Sequence, residues 1–167
     1  MRDAMKSKKT IPLKISRAKD EGLSVLLEEI QLAIEWNRPS ILLAVQKHKR
    51  ATSKIELALE RSLMKISQQV IHIRLGDQLP DFSRLLSQDL PSTAQVYFFT
   101  RLDSTRGDRK DAYRALNLHR ETFIENRIRA VFWLTTDEAS DLVRFAPDFW
   151  AFRHRVVEFA SERTRRN

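Results

Sequence analysis

The sequence predicts a three-layer α/β/α domain built on a mainly parallel five-stranded sheet. Three observations predict it. Five short apolar runs occur at 40–46, 70–75, 95–100, 130–135 and 155–159, rich in β-branched and aromatic residues. The connections between them run to roughly 19–29 residues, far beyond the loop of a hairpin, so each strand returns by a right-handed crossover that carries a helix. The 167 residues include only 3 Gly and 5 Pro. That is too few for a linker, a collagen or an all-β chain full of tight turns.

The elements follow in order. Leu23, Leu26, Leu27, Ile30, Ala33 and Ile34 recur at three- and four-residue steps and predict a helix over 21–36. Asp20 is its expected N-cap, and Asn37-Arg38-Pro39 stops it. Ser40 to Gln46 has no polar alternation, the pattern of a strand covered on both faces. A second helix is expected over 52–67, with Thr52 or Ser53 as cap, then a strand from Val70 to Leu75 closed by Gly76-Asp77. Phe82 to Gln88 reads as a short helix capped by Asp81, and Gln95 to Thr100 as the third strand. A polar loop, 103–108, leads into one long helix over 111–127. Ala130 to Thr135 is the fourth strand. Thr135 and Glu138 have capping-box spacing for the next helix, which Pro147 breaks. Arg155 to Phe159 is a fifth, edge-proximal strand.

Domain organisation follows from charge. The formal net charge is +8, yet residues 1–19 supply +6 and residues 161–167 supply +2. The body, 20–160, is neutral, so the expectation is one α/β domain between a basic flexible N-terminal segment and a basic C-terminal tail. Such tails bind phosphate backbones weakly and without sequence preference. They are also common solubilising ends, and no aromatic residue interleaves with them to stack on bases. The absence of Cys rules out disulfides, thiolate metal sites and a cysteine nucleophile. No apolar run is long enough to span a membrane, and no apolar stretch of signal-peptide type follows the basic N-terminus, so a cytoplasmic protein is expected.

Ligands of an open parallel sheet bind beyond the carboxyl ends of its strands. A phosphate-binding loop after the first strand needs glycine, because only glycine lets several backbone N–H groups converge on phosphate. The chain has Gln46-Lys47-His48-Lys49-Arg50-Ala51-Thr52-Ser53-Lys54 there, with no glycine. Neither a Walker A loop nor a dinucleotide-binding loop can be written onto it. Lys47, Lys49 and Arg50 lie near a helix N-terminus and are the candidate anion contacts, with a solvated basic turn as the plainer reading. Asp103 follows the third strand late, with a cation, Arg101, among the intervening residues, and reads as a loop or cap residue rather than a magnesium ligand. His48, His72, His119 and His154 have no metal-ligand spacing, and no nucleophile elbow is present. Phe145, Phe149, Trp150 and Phe152 crowd around Pro147-Asp148 with Arg144 and Arg153 beside them. They form either a hydrophobic lid over the sheet end or a docking patch of aromatic and arginine anchors.

Three segments carry a family resemblance: Leu116-Asn117-Leu118-His119-Arg120-Glu121, Ala130-Val131-Phe132-Trp133-Leu134-Thr135, and Ala146-Pro147-Asp148-Phe149-Trp150-Ala151-Phe152-Arg153. In this order, across roughly residues 20–160 of one domain-sized chain, they resemble the P-loop-like domains of bacterial STAND signalling NTPases, which accompany TPR repeats. The glycine-free turn makes the chain similar to degenerate copies that lack the Walker A loop. The resemblance implies that strand 40–46 is the former Walker A strand, 95–100 the former Walker B strand and 130–135 the sensor strand. It implies a non-enzymatic adaptor in bacterial signalling or antiviral conflict, with no cofactor and no metal. Its partner would be another protein, a TPR-containing or STAND component. No TPR or effector segment follows in the sequence, so the expectation is that any switch role would work through another polypeptide. Asn117, Arg120, Glu121, Phe149, Trp150 and Arg153 are the interaction candidates. The alternative is a weak phosphate-ligand module, for nucleotide or nucleic acid, using Lys47, Lys49, Arg50 and the tails.

Overall fold

The computed structural model describes residues 17–47, 49–76, 81–86, 94–103, 108 and 110–160. Of the basic N-terminal segment expected over 1–19, residues 1–16 lie outside the described residues and 17–19 are helical; the tail 161–167, Asp77 and Gln88 also lie outside them. Five strands form one sheet: β1 (Ser40–Gln46), β2 (Gln69–Arg74), β3 (Gln95–Thr100), β4 (Arg129–Thr135) and β5 (Arg155–Phe159). Their spatial order is β2-β3-β4-β1-β5, and every pairing is parallel. β1 is buried along its whole length between β4 and β5, which accounts for its unbroken apolar run.

Among the described residues, seven helices flank the sheet. α1 (Arg17–Glu35) and α2 (Lys49–Lys65) cover one face, burying Leu26, Ile30, Ile55, Leu59 and Leu63 against Leu42, Ala44, Phe98, Val131 and Trp133. α3 (Phe82–Leu86), α4 (Asp111–Leu118), α5 (Arg120–Glu125), α6 (Thr136–Phe145) and α7 (Pro147–Ala151) cover the other. That face is aromatic: Phe99 stacks on Phe132 at 4.6 Å between ring centroids, and Phe82, Phe123 and Phe149 close around them. The split follows from handedness. The step from β1 to β2 runs one way along the sheet and the later steps run the other way, so right-handed crossovers place α2 on one face and α3–α7 on the opposite one.

Several local expectations are corrected. α1 starts at Arg17, so Asp20 lies inside its first turn rather than at its cap. α2 starts at Lys49, which puts Thr52 and Ser53 within the helix. The long helix expected over 111–127 breaks at His119 into α4 and α5, allowing Phe123 to turn into the aromatic core. The capping box at Thr135 and Glu138 forms in full, and the Asp81 carboxylate accepts from the Arg84 amide at 3.2 Å. Three helix-to-strand turns end alike. Asn37, Ser67 and Arg127 adopt positive φ (47°, 61° and 53°). The next amides, of Arg38, Gln68 and Ile128, donate back to Ala33, Leu63 and Phe123. These are Schellman caps made without glycine.

Candidate functional site

Two ends of the sheet compete as functional surfaces. At the carboxyl end, β1 and β4 are neighbours whose helices leave to opposite faces, and a crevice opens at such a point. Gln46 sits opposite Thr135 and Phe159 in the register. A groove of about 680 Å³ lies here, lined by Lys47, Thr135, Asp137, Glu158 and Phe159 among others. Only Lys47 and His48 separate the last residue of β1 from the first of α2. A Walker A sequence places its lysine six residues after its first glycine, so the connection is short as well as glycine-free. The side chains of Lys49 and Arg50 lie outside the described residues; Lys47 is exposed. Phosphate would also meet the carboxylates of Asp137 and Glu158 in the same groove.

Next to this groove the chain uses its acids internally. The Tyr113 hydroxyl donates to Oδ1 of Asp103 at 2.8 Å. Burial first, and then the Asp103 carboxylate, push the Tyr113 hydroxyl far above the ordinary phenol range, so it stays a donor. Glu138 is buried, and its Oε2 accepts from the Thr135 amide at 2.8 Å. Gly76 brings the end of β2 against the loop after β3: a Cβ there would lie 2.4 Å from the Asp103 carbonyl oxygen. Among the described residues no group of three or more His, Asp or Glu is arranged to hold a metal.

The amino end gathers the interaction candidates, because α5 leads directly into β4 and α7 directly into β5. They divide into two kinds. Phe149 is fully buried, edge-on to Phe123 and Phe132 at 5.4 and 5.2 Å, so it is core rather than docking surface. Asn117 is turned inward too. Its Oδ1 accepts from the amides of Asp148 and Phe149 at 3.0 and 3.1 Å, satisfying the open first turn of α7. The other four remain at the surface. Arg153 lies over the Trp150 ring at 4.2 Å and donates to the Trp150 carbonyl at 2.9 Å, forming a rigid cation–aromatic shelf. Arg120 donates to the Asn117 carbonyl at 2.8 Å and meets Glu121 at 3.7 Å. The segment is thus lid and shelf at once: Phe149 closes the sheet, Trp150 packs half-buried against the core, and Arg153 lies exposed over its ring.

Three features at these surfaces escaped sequence reasoning. A groove of about 360 Å³ opens among Glu121, Ile124, Glu125, Phe152 and His154. The four-residue spacing of Glu121 and Glu125 hinted at one wall; nothing local pointed to the other. His154 Nδ1 accepts from the Ile41 amide, a contact across 113 residues with no local signal. His72 lies exposed on β2, bracketed by Glu56 at 3.4 Å and Glu60 at 3.1 Å, where the i,i+4 carboxylates of α2 were the only clue.

This architecture is that of a P-loop-NTPase-like α/β domain. Among solved structures, the chain is similar to the ORC2 protein of Aeropyrum pernix in its ADPNP-ADP complexes, with a TM-score of 0.53, 12% identity and coverage of 92% of this chain and 50% of that one. The ADP form of the same protein gives a TM-score of 0.52 at 11% identity, covering 92% of this chain and 51% of that one. The chain therefore spans about half the length of the solved proteins it matches. At such identities the likeness is one of fold. No protein-family model matches the sequence, and no curated protein matches it. Among the described residues no helix is long and apolar enough to cross a membrane.

Proposed function

We propose that this chain is a non-enzymatic protein-interaction domain on a P-loop-NTPase-like scaffold that does not bind nucleotide. The observation that carries the reading is the two-residue, glycine-free connection from Gln46 to Lys49. Phosphate recognition on this fold depends on backbone N–H groups converging from a longer loop. The Trp150–Arg153 shelf supports the interaction half of the reading, since tryptophan and arginine dominate binding hot spots. The STAND resemblance suggests a setting, an adaptor in bacterial signalling or antiviral conflict that acts on a TPR-containing or STAND component.

Calorimetric titration with ATP and magnesium tests the first half. The expected result is no saturable heat at millimolar nucleotide; tight binding overturns the reading. Capture of a candidate partner by Trp150→Ala plus Arg153→Ala tests the second half, with loss of capture expected. A second reading, weak phosphate binding through Lys47, Lys49, Arg50 and the basic ends, draws support from the exposed Lys47 at the mouth of the carboxyl-end groove. It predicts binding that weakens steeply with salt.

A further inference from the structure

We propose that the groove between α5 and the α7–β5 link receives a lysine or arginine side chain from a partner protein. This rests on the protein-interaction reading and narrows it to one partner chemistry.

The groove has an apolar floor and an acidic rim. Ile124 and Phe152 are half-buried, packed against the aromatic core, and present apolar surface inside the groove. Glu121 and Glu125 stand one helical turn apart on α5 and so project from the same face. Glu125 forms no ion pair among the described residues. Glu121 meets only Arg120, at 3.7 Å, and that pair is exposed and readily exchanged. The cation itself is held elsewhere, donating to the Asn117 carbonyl.

His154, on the opposite wall, does not offset the carboxylates. Its Nδ1 is occupied as an acceptor for the Ile41 amide. Burial, then the nearby Arg38, lower its pKa and favour the neutral ring, with Glu29 opposing more weakly. The lining therefore carries two negative charges over an apolar base.

Few side chains fit both halves. An acidic one is repelled by the rim. A purely aliphatic one covers Ile124 and Phe152 but crowds the carboxylates without pairing them. Lysine and arginine lay an aliphatic stem on apolar surface and keep a charged head at its edge. That stem matches Ile124 and Phe152, and the head lies between Glu121 and Glu125.

The test is an amide-shift titration of the nitrogen-15-labelled full chain with capped tripeptides, alanine on either side of arginine, lysine, leucine or glutamate. Arginine and lysine peptides should move the amides of 121–125 and 152–154. In the Glu121→Gln plus Glu125→Gln variant, whose changes are at the surface, the apparent affinity should fall about fivefold. The proposal is overturned if the leucine peptide moves the same amides as strongly, or if the arginine response survives in the double variant. It is also overturned if these amides shift with protein concentration alone, which would assign the groove to a second copy. Silence with all four peptides ends it as well, while leaving the interaction reading to be decided by the Trp150 and Arg153 variants.

Discussion

His154 and Ile41 exchange two backbone-directed hydrogen bonds across the amino end of the sheet. The Ile41 amide donates to Nδ1 of His154 at 2.9 Å, and the His154 amide donates to the Ile41 carbonyl at 2.8 Å. Ile41 is fully buried, so its N–H relies on the imidazole as acceptor. The imidazole thus completes the hydrogen bonding where β5 joins β1 and holds the last strand in register.

This contact makes stability depend on pH. His154 accepts through a lone pair that protonation removes, and burial lowers its pKa from the ordinary 6.5. Below about pH 6.5 the unfolded chain then binds more protons than the folded one, so stability falls as pH drops and is complete above that value. Denaturant unfolding at pH 7.5 and 5.5 should show a loss at the lower pH that shrinks in His154→Ala. At pH 7.5 that variant should itself cost about 1–3 kcal/mol, since the Ile41 N–H is left unsatisfied.

Gly76 and Gly22 should respond differently to alanine. At Gly76 a Cβ meets two backbone carbonyl oxygens, of Asp103 at 2.4 Å and Arg101 at 2.7 Å. At Gly22 it meets the Phe159 ring at 2.6 Å and Val157 at 3.1 Å, core side chains that must shift but no backbone, and it gains helix propensity within α1. Thermal melts should show Gly76→Ala destabilised by about 2–3 kcal/mol and Gly22→Ala by much less. Equal losses would mean that the loop after β3 yields as easily as a ring.

Asn117→Ala should destabilise the fold by about 1–2 kcal/mol, because the amides of Asp148 and Phe149 lose their acceptor. Partner capture by the fraction that remains folded should be unchanged, since the side chain faces α7. A selective loss of capture at undiminished melting temperature would place Asn117 on the docking surface after all.

Ser67→Gly should stabilise the protein. Ser67 holds φ at 61° in the cap between α2 and β2, a conformation that disfavours residues bearing a Cβ. A gain of about 1 kcal/mol is expected, raising the melting temperature by roughly 2–4 °C for a domain of this size. An unchanged or lower melting temperature would show that the Ser67 side chain offsets its backbone strain.

The five strands and their parallel direction were readable from the chain, because burial on both faces leaves continuous apolar runs in β1, β3 and β4, and long connections forbid hairpins throughout. The glycine-free turn after Gln46 was equally plain, since a missing residue type needs no tertiary context. So was the capping box at Thr135 and Glu138, whose partners lie three residues apart. Other features depended on distant partners. The order β2-β3-β4-β1-β5 depends on which faces pack together, and each strand alone is compatible with several orders. Phe149 and Trp150 are adjacent aromatics in one sequence cluster, yet one is fully buried and the other only half-buried with Arg153 over its ring, because a single turn of α7 points them in different directions. The break at His119, the inward turn of Asn117 and the contact between His154 and Ile41 arise only when segments far apart in the chain are pressed together. Local periodicity determines which stretches form strands and helices; packing between them decides which of their side chains are left for another molecule.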